Sequence, residues 1–218
     1  MFEAKSMTSM RILGVTGGIG CGKSVVCAYL AQLGAEIFDA DLTARNLMES
    51  DETVRQEVTR AFGKESYRED GSLNRKWLAS QVFADETRLE ELNGIVHPRV
   101  AQAFGILRNR IQSGLLVHEA ALIYEAGAEN RLDAVCVVTA PKELRIARVM
   151  ARDRVSAEKV LARMSRQLSQ EEKAGRADVV LVNDGDMAAA RRKSRRLYEL
   201  AMSGDGLSSE NFRLTRQL

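Results

Sequence analysis

Short runs of apolar residues alternate along the chain with longer stretches that have helical patterns. Five runs predict β-strands: Arg11–Val15, Glu36–Phe38, Leu115–Glu119, Ala134–Thr139 and Val179–Val182. Helical patterns lie between them, and the first of these covers Lys23–Leu33. Alternation of this kind is typical of an α/β protein, in which helices cover both faces of a mainly parallel sheet. The pattern therefore predicts a three-layer fold with a sheet of roughly five strands.

Two stretches depart from this alternation of strand and helix. Thr43–Ile111 is predicted to be mostly helical, with one turn around Arg68–Ser72 and another at His97-Pro98. Pro141–Arg176 is predicted to be helical and is densely charged. In open α/β sheets, ligands bind at the carboxyl ends of the strands. We therefore interpret both stretches as insertions that stand over that edge of the sheet.

The turn between the first strand and the first helix carries the clearest chemical signal. Gly17-Gly18-Ile19-Gly20-Cys21-Gly22-Lys23-Ser24 fits the pattern G-x-x-x-x-G-K-[S/T] at a strand-to-helix turn. Glycines allow successive backbone N–H groups to face a polyphosphate, and the helix N-terminus adds partial positive charge. We expect Lys23 to reach the β- and γ-phosphates and the Ser24 hydroxyl to ligate Mg²⁺. The sequence thus predicts a P-loop NTPase-type fold that binds a nucleoside triphosphate.

Composition narrows the class of protein. With 218 residues, 45% of them hydrophobic and 28% charged, the chain suits one domain, which we place at residues 10–218. Residues 1–9 are predicted to be a disordered extension, because Met7 and Met10 are alternative starts. A net charge of +2 indicates no global affinity for polyanions. No apolar run approaches the roughly 18 residues of a membrane span, and no secretory signal is recognisable.

Three cysteines indicate the compartment. Cys21, Cys27 and Cys136 lack the spacing of metal ligands and cannot all pair, so we expect a reduced, cytoplasmic protein. Cys21 lies at a helix N-terminus, where a thiol can have a lowered pKa. The alternative is that Cys21 is simply a small residue tolerated in the loop.

Basic residues concentrate in two places. Between Lys142 and Arg176 there are ten Lys or Arg and five Asp or Glu, so this segment carries about +5. Arg145, Arg148 and Arg152 share one helical face, and Arg163 and Arg166 lie on a following helix. Such a flap could neutralise charge on transferring phosphoryl oxygens, and the alternative is a solvated helix with internal ion pairs. The second cluster, 191–196, is predicted to be a solvated face of the C-terminal helix rather than a nucleic-acid site.

Two carboxylates follow the second strand. Asp39 and Asp41 are two residues apart, so along an extended backbone both side chains can face one cleft. An aspartate beside Mg²⁺ could take the proton of an acceptor hydroxyl in a kinase. The alternative is that Asp41 caps the helix that begins there. Arg45, one helical turn further on, could pair with Asp41 or hold a substrate phosphate.

Together these motifs resemble the dephospho-CoA kinase family, from Arg11 to about Asp186. The resemblance rests on seven motifs: Val15–Ser24, Asp39-Ala40-Asp41 with Arg45, His97-Pro98, Ala121–Glu125, Arg148–Asp153, Arg163-Met164 with Gln167, and Ala177-Asp178 with Asn183-Asp184-Gly185. A P-loop alone names only a superfamily, whereas this ordered set is far more specific. The family often has a proline where this chain has Ala121, which leaves the local backbone in question.

The resemblance implies a P-loop kinase core with a helical substrate-binding region, residues 43–111, and an Arg-rich lid, residues 141–176. It implies transfer of the γ-phosphoryl group of ATP to the ribose 3′-hydroxyl of dephospho-CoA, which completes coenzyme A, with Mg²⁺ as cofactor. The expected partners are ATP and dephospho-CoA, without nucleic acid or membrane. The protein is expected to be a monomer or a small homo-oligomer.

By position, the resemblance also implies roles for individual residues. The implied catalytic residues are Lys23, Asp41, Arg148 and Arg163. The implied ATP-binding residues are Gly18, Gly20, Cys21, Gly22, Lys23, Ser24, Val25 and Asn183, with Ser24 as the metal ligand. The implied substrate-binding residues are Asp39, Arg45, His97 and Glu119. For His97 the alternative is a structural helix boundary, and for Glu119 it is a paired carboxylate at the edge of the core.

Two other classes of protein share part of the pattern. Another nucleoside or nucleotide kinase would have the P-loop and the lid, but it would not predict Asp39-Ala40-Asp41 with Arg45 before a long helical region. A regulatory GTPase would need a guanine-selecting Asn-Lys-x-Asp. Asn183-Asp184-Gly185-Asp186 lacks the lysine of that motif.

Overall fold

A five-stranded parallel sheet forms the framework of the chain, and the computed structural model describes residues 9–203, apart from the side chains of residues 83 and 84. The strands are β1 (Arg11–Thr16), β2 (Glu36–Asp39), β3 (Leu115–Glu119), β4 (Ala134–Thr139) and β5 (Val179–Val182). Their order in the sheet is β2-β3-β1-β4-β5. The predicted α/β class is confirmed. β3, β4 and β5 have the predicted bounds, and β1 and β2 each extend one residue further.

Helices connect the strands. They are α1 (Lys23–Gln32), α2 (Ala40–Ser50), α3 (Glu52–Phe62), α4 (Arg75–Ala84), α5 (Glu86–Arg110), α6 (Lys142–Asp153), α7 (Ala157–Met164), α8 (Gln170–Arg176) and α9 (Met187–Met202). Short 3₁₀ turns occur at Lys64–Ser66 and Ala128–Arg131. β1 pairs in parallel with β3 on one side and β4 on the other, so the turn after β1 lies where the strand order reverses. That reversal is the usual ligand-binding position in an open α/β sheet.

The main core lies between this sheet and helices α1 and α9. Leu13 and Val15 of β1 are fully buried, as are Val26 and Leu30 of α1 and Leu197 of α9. Burying a side chain of this size stabilises a fold by about 1.5–3 kcal/mol. The two helices thus hold β1 and the turn that follows it in a fixed place.

Contacts divide the chain into two compact units. One consists of the chain up to Phe38 and from Ile111 onward, and the other is Asp39–Arg110. Within the second unit, α5 packs against α2, α3 and α4. Val96, Val100 and Phe104 of α5 are buried there. The predicted turn at 68–72 is present, since Gly71 adopts a φ of 79° and its N–H donates to the Arg68 carbonyl.

The predicted turn at His97-Pro98 is wrong. α5 is a single helix of 25 residues, and Pro98 lies inside it. A proline removes one helical hydrogen bond, but most helical stability in proteins comes from packing of the apolar face. Val96 and Val100 are buried on either side of Pro98, so packing outweighs the local break. Of the predicted extension 1–9, only Ser9 lies within the described residues, and it forms an isolated antiparallel bridge with Ser113.

His118 of β3 gives the fold a dependence on pH. Its ring is 8% exposed and lies 5.4 Å from the Phe38 ring, centroid to centroid. Burial, with a smaller effect of the Arg131 charge, lowers the pKa of His118 from 6.5 to about 4. Below pH 6.5 the unfolded chain therefore binds a proton that the folded chain does not. The neutral, buried His118 therefore makes its full contribution to the free energy of unfolding above pH 6.5, and this contribution is lost as the pH falls towards 4.

We predict that this effect costs the protein up to about 3 kcal/mol in free energy of unfolding between pH 6.5 and 4. His118→Gln should remove that part of the pH dependence, as measured by urea denaturation at a series of pH values. The chain has one other histidine, the exposed His97, and His97→Gln serves as the control that retains most of the slope. A slope unchanged in His118→Gln would contradict this account.

Candidate nucleotide-binding site

The turn between β1 and α1 adopts a conformation that its glycines make possible. Gly20 and Gly22 have φ values of 82° and 90°, and Gly22 is the N-cap of α1. L side chains rarely adopt this region of φ. A Cβ at Gly22 would also collide with the Asn183 side-chain amide, and one at Gly20 with the Arg145 carbonyl. The glycines of the motif are thus required both by the backbone and by close neighbours.

Lys23 and Ser24 begin α1 directly after this turn. The Lys23 ammonium donates to the Gly17 carbonyl at 3.3 Å, so the side chain folds back over the turn. Ser24 is exposed in the first turn of the helix. A cation and an exposed hydroxyl therefore lie where a helix N-terminus favours an anion. Val25, the last predicted ATP-binding residue of the motif, donates its N–H to the Gly22 carbonyl.

The thiol of Cys21 is buried beneath the turn. Burial raises the pKa of Cys21, although the Lys23 charge acts in the opposite direction. The alternative of a reactive thiol with a lowered pKa is therefore wrong, because desolvation outweighs the nearby cation. Cys136 is likewise buried, and its pKa is raised to about 12. All three cysteines are free and buried.

Glu119 ends β3, the strand next to β1, and is 9% exposed. Its carboxylate interacts with the thiol of Cys27, whose pKa is raised first by burial and then by the Glu119 charge. Lys23 acts on the same thiol in the opposite direction. Glu119 thus belongs to the charged surroundings of the turn in the first unit. This is compatible with the paired-carboxylate alternative and leaves its substrate role a prediction.

Asn183, the residue directly after β5, supports the turn. Its side-chain amide donates to the Cys21 carbonyl at 2.9 Å, and its backbone N–H donates to the Thr139 carbonyl at 2.7 Å. Arg148 of α6 donates to the Asn183 carbonyl at 3.1 Å. Two predicted site residues, Asn183 and Arg148, are therefore joined to the predicted phosphate-binding turn. The amide of Asn183 bonds to protein backbone here, which is a supporting role that the sequence did not indicate.

A second group of side chains, which the sequence analysis did not single out as a site, holds the opposite side of the turn. The Arg145 guanidinium, 8% exposed, donates from Nε to the Ile19 carbonyl at 3.0 Å. The Gln167 side-chain oxygen accepts from the Ile19 N–H at 3.0 Å. Gln170 accepts from Arg145 Nη1 at 3.4 Å and from the Ala140 N–H at 3.0 Å. Arg145 was expected to face phosphoryl groups, but it is buried against the backbone of the loop.

The outer part of the basic segment contains its own ion pairs. Asp153 accepts from Arg152 Nε and from Arg163 Nη1, both at 2.7 Å. These hydrogen bonds lower the pKa of Asp153, with the bond from Arg152 as the largest cause. Arg163, a predicted catalytic residue, is exposed and lies on α7. Internal pairing and an exposed cationic surface therefore coexist in this part of the segment.

Lys173 of α8 is a buried anchor of the basic segment and not part of its cationic surface. It is fully buried, and its ammonium lies 2.8 Å from Glu125 Oε1 and donates to the Ala121 carbonyl at 2.7 Å. The same Glu125 oxygen accepts from the Leu168 N–H at 3.0 Å. Ala121 also accepts from the Thr16 hydroxyl at the end of β1, at 3.2 Å. The basic segment is thus anchored near β1, although position 121 is an alanine and not the proline that the resemblance leads one to expect.

The second unit contains the remaining predicted site residues. Asp39, rather than Asp41, is the N-cap of α2, because its carboxylate accepts from the Leu42 N–H at 2.8 Å. The capping role considered for Asp41 is therefore wrong, since α2 begins at Ala40, two residues earlier than a cap at Asp41 would place it. Asp41 lies in the first turn, and its carbonyl accepts from Arg45 Nε at 3.1 Å. His97 is an exposed residue of α5.

The basic cluster 191–196 lies on α9. Lys193 donates to the Val182 carbonyl at 2.6 Å, and Arg196 lies 3.9 Å from Glu199. Arg191, Arg192, Arg195 and Arg196 are exposed, as predicted for a solvated face, whereas Leu197, Leu200 and Ala201 of the same helix are buried.

Neither a metal cage nor a membrane span is found in the part of the chain that the structure describes. Within residues 9–203, no group of three or more His, Cys, Asp or Glu side chains could hold a metal ion. Over the same residues, no helix is both long and apolar enough to cross a membrane.

A Gly-rich strand-to-helix turn with Lys23 and Ser24, on a parallel sheet of this strand order, defines a P-loop kinase fold. Residues 11–189 match the model of the family described as dephospho-CoA kinase. The chain is 51% identical to the dephospho-CoA kinase of Salinibacter ruber, over 89% of this chain and 100% of that one. It is 43% identical to the Chlorobium chlorochromatii enzyme of the same name, over 86% and 92% of the two chains.

Two solved structures are similar to the chain in fold and sequence. A crystal structure from Thermus thermophilus matches with a TM-score of 0.80 and 36% identity, covering 90% of this chain and 100% of that one. The dephospho-CoA kinase of Campylobacter jejuni matches with a TM-score of 0.65 and 27% identity, covering 90% and 99%. The chain belongs to the dephospho-CoA kinase family, which confirms the resemblance found in the sequence.

We predict that Lys173→Met lowers the free energy of unfolding by about 2–4 kcal/mol, because it leaves Glu125 without its buried cation. This is less than the cost for a fully buried pair, since water reaches the Glu125 side chain, which is 21% exposed. Lys159 is an exposed lysine of α7, so Lys159→Met is the matched control and should change stability by no more than about 0.5 kcal/mol. Urea denaturation measures both. Removing the other charge as well, in Lys173→Met with Glu125→Gln, should recover part of the loss. Equal stabilities of the two single variants would contradict an anchoring role.

Proposed function

We propose that this chain is a dephospho-CoA kinase that transfers the γ-phosphoryl group of ATP to the ribose 3′-hydroxyl of dephospho-CoA. The products are coenzyme A and ADP, and the reaction is the last step of coenzyme A synthesis. The observation that carries the proposal is the complete P-loop, with Lys23 folded over its glycine turn, in a chain whose family match spans residues 11–189. The reduced state of three buried thiols supports the cytoplasm as the compartment.

In this proposal the turn from Gly18 to Val25 surrounds the phosphates of ATP. The N–H groups of Ile19, Cys21 and Val25 donate to protein oxygens, so the proposed phosphate donors are the other backbone N–H groups of the turn. Lys23 exchanges its bond to the Gly17 carbonyl for one to the β- and γ-phosphates, where charge develops during transfer. Asn183 keeps the turn in shape through the Cys21 carbonyl. The positive end of α1 adds to the attraction.

The proposed cofactor is Mg²⁺. The exposed hydroxyl of Ser24, a hard oxygen ligand in the first turn of α1, fits a hydrated Mg²⁺ that takes its other ligands from phosphates and water. When bound, the ion would neutralise phosphate charge. Ser24 is the residue that would hold it.

Residues of the second unit are proposed to serve the acceptor. Asp41, two residues beyond the end of β2, is the proposed general base for the 3′-hydroxyl, and the N-cap of α2 is Asp39. Asp39, Arg45 and His97 are proposed substrate-binding residues, as is Glu119 of the first unit. The proposal for Arg45 is supported by its charge and by its bond to the Asp41 carbonyl, which fixes its place on α2.

Arg148 and Arg163 are proposed to stabilise the transferring group. Arg148 is half-buried and lies beside Asn183, so it is already positioned at the turn. Arg163 is exposed on α7 and would have to leave Asp153. An exposed ion pair contributes only about 0–1 kcal/mol, so a phosphoryl group can compete with it.

We expect purified protein with ATP and Mg²⁺ to phosphorylate dephospho-CoA and not adenosine, AMP or small alcohols, as measured by the mass of the product. Lys23→Ala should lower kcat by at least about 10³-fold while the thermal unfolding midpoint stays near that of the wild type. A product from AMP alone would identify a nucleotide kinase instead. Hydrolysis of GTP without any acceptor would indicate a switch protein.

The role of Asp41 has a separate test. Asp41→Asn should lower kcat by about 10²–10⁴-fold with small changes in either KM, because an amide cannot accept the proton. Asp51 caps α3 in the same unit, so Asp51→Asn is the matched control and should keep wild-type turnover. If Asp41→Asn changed the unfolding temperature and left kcat intact, Asp41 would have a structural role only.

A further inference from the structure

Ile19, in the middle of the P-loop, has both of its peptide groups bonded to side chains from the basic segment. Its N–H donates to the Gln167 side-chain oxygen at 3.0 Å, and its carbonyl accepts from Arg145 Nε at 3.0 Å. Ile19 N–H and the loop N–H groups that would face phosphate lie in one tight turn, so the direction of one peptide restricts the others. A side chain 148 residues away therefore helps to set the shape of the loop.

Gln167 can do this because its own position is fixed. The next residue, Leu168, donates its N–H to Glu125 Oε1 at 3.0 Å. Glu125 is in turn paired with the fully buried ammonium of Lys173 at 2.8 Å. Lys173 donates to the Ala121 carbonyl, which the Thr16 hydroxyl of β1 also reaches. This series of hydrogen bonds and one ion pair begins at Thr16, at the end of β1, and ends at Ile19, in the loop that follows β1. It therefore links the loop to the end of its own strand.

Arg145 alone does not supply the same restraint. It binds the Ile19 carbonyl, and its guanidinium lies against Gly18, where a Cβ would collide with it. The carbonyl and the N–H of one residue belong to different peptide planes, so each plane needs its own partner. Two bonds reach the plane between Gly18 and Ile19. The Gly18 carbonyl accepts from the Cys21 N–H at 3.1 Å inside the turn, and the Ile19 N–H donates to Gln167, which restrains the plane from outside the turn.

We propose that Gln167 is a positioning residue that holds the P-loop in its phosphate-binding shape before ATP arrives. This inference rests on the proposed function. A loop without that acceptor samples other orientations of the Gly18–Ile19 peptide, and ATP must then select the competent fraction. The apparent Kd rises by the inverse of that fraction, whereas turnover of the bound complex stays the same. Loss of one hydrogen bond of this type is enough for a change of about tenfold.

Two substitutions separate the bond from other effects. Gln167→Met removes the acceptor and keeps a similar volume. Gln167→Glu keeps an oxygen acceptor but adds negative charge beside the loop, so its effect on ATP should weaken as salt rises. Gln32 is exposed at the far end of α1, and Gln32→Met is the matched control.

We expect Gln167→Met to raise the Kd of ATP, measured by calorimetry without acceptor, and the KM for ATP by about tenfold each, with kcat within about twofold of wild type. Exchange of the Ile19 amide hydrogen in the nucleotide-free protein should be about tenfold faster in Gln167→Met. It should remain unchanged in Gln167→Glu and Gln32→Met. Gln167→Glu should raise the Kd at low salt only.

A wild-type Kd in Gln167→Met, or a loss of kcat and melting temperature without a change in Kd, would overturn the inference. So would faster exchange at Ile19 in Gln167→Glu, because that variant retains the acceptor. Failure of the proposed function gives a different result, in which the wild-type protein itself does not bind ATP. The exchange measurement needs no nucleotide, and it therefore tests the Gln167 bond in either case.

Discussion

The glycine turn after β1 is held from both sides by side chains that bond to its backbone, and the arrangement of the first unit depends on this. Asn183 bonds to the Cys21 carbonyl on one side, and Arg145 and Gln167 bond to Ile19 on the other. Backbone groups aimed at an anion leave few partners within the loop itself, so their geometry must be supported from outside. The residue directly after β5, helix α6 and the segment after α7 each contribute one such support.

Burial divides the basic segment into two parts with different physical roles. Lys173 and Arg145 are buried and bond to backbone carbonyls, so their charges are committed to the fold. Arg152 and Arg163 are exposed and share Asp153. Breaking a buried pair by removing one partner costs about 3–5 kcal/mol, whereas an exposed pair is worth about 0–1 kcal/mol. The inner part is therefore suited to anchoring and the outer part to rearrangement.

Much of this arrangement could be predicted from the sequence because its signals are local. β3, β4 and β5 are short apolar runs with the bounds that their pattern indicated, and the P-loop is recognisable from eight consecutive residues. The turn predicted at Pro98 does not form because the burial of Val96 and Val100 stabilises α5 through this position. A local sequence pattern contains no information about that packing. The N-cap considered from the sequence, Asp41, lies two residues after the observed N-cap, Asp39. The two positions have the same side chain, and helix boundaries are weakly encoded in the sequence.

The supports of the loop could not be predicted for a different reason. Gln167 and Ile19 are 148 residues apart, and a glutamine in a charged helical segment has no pattern that marks it as an acceptor. The net charge of the segment also includes Lys173 as if it were part of a cationic surface. In the structure, Glu125, 48 residues earlier, neutralises the Lys173 charge. No local pattern marks this pair, because Glu125 is itself an exposed residue and its cation lies 48 residues away in the sequence.

The division of the basic segment also limits how it can respond to a bound phosphate. Gln167 and Leu168 are tied to Ile19 and Glu125, so movement that starts at α7 meets a fixed point directly after that helix. At its other end, α6 is tied by Arg145 and Arg148 to the P-loop and to Asn183. A rearrangement is therefore confined to the stretch between Arg152 and Arg166, where the ion pairs are exposed. Arg163 can change partners there without the loss of any bond that shapes the P-loop. The role proposed for the P-loop in binding ATP and the role proposed for Arg163 in stabilising phosphoryl transfer therefore depend on different bonds.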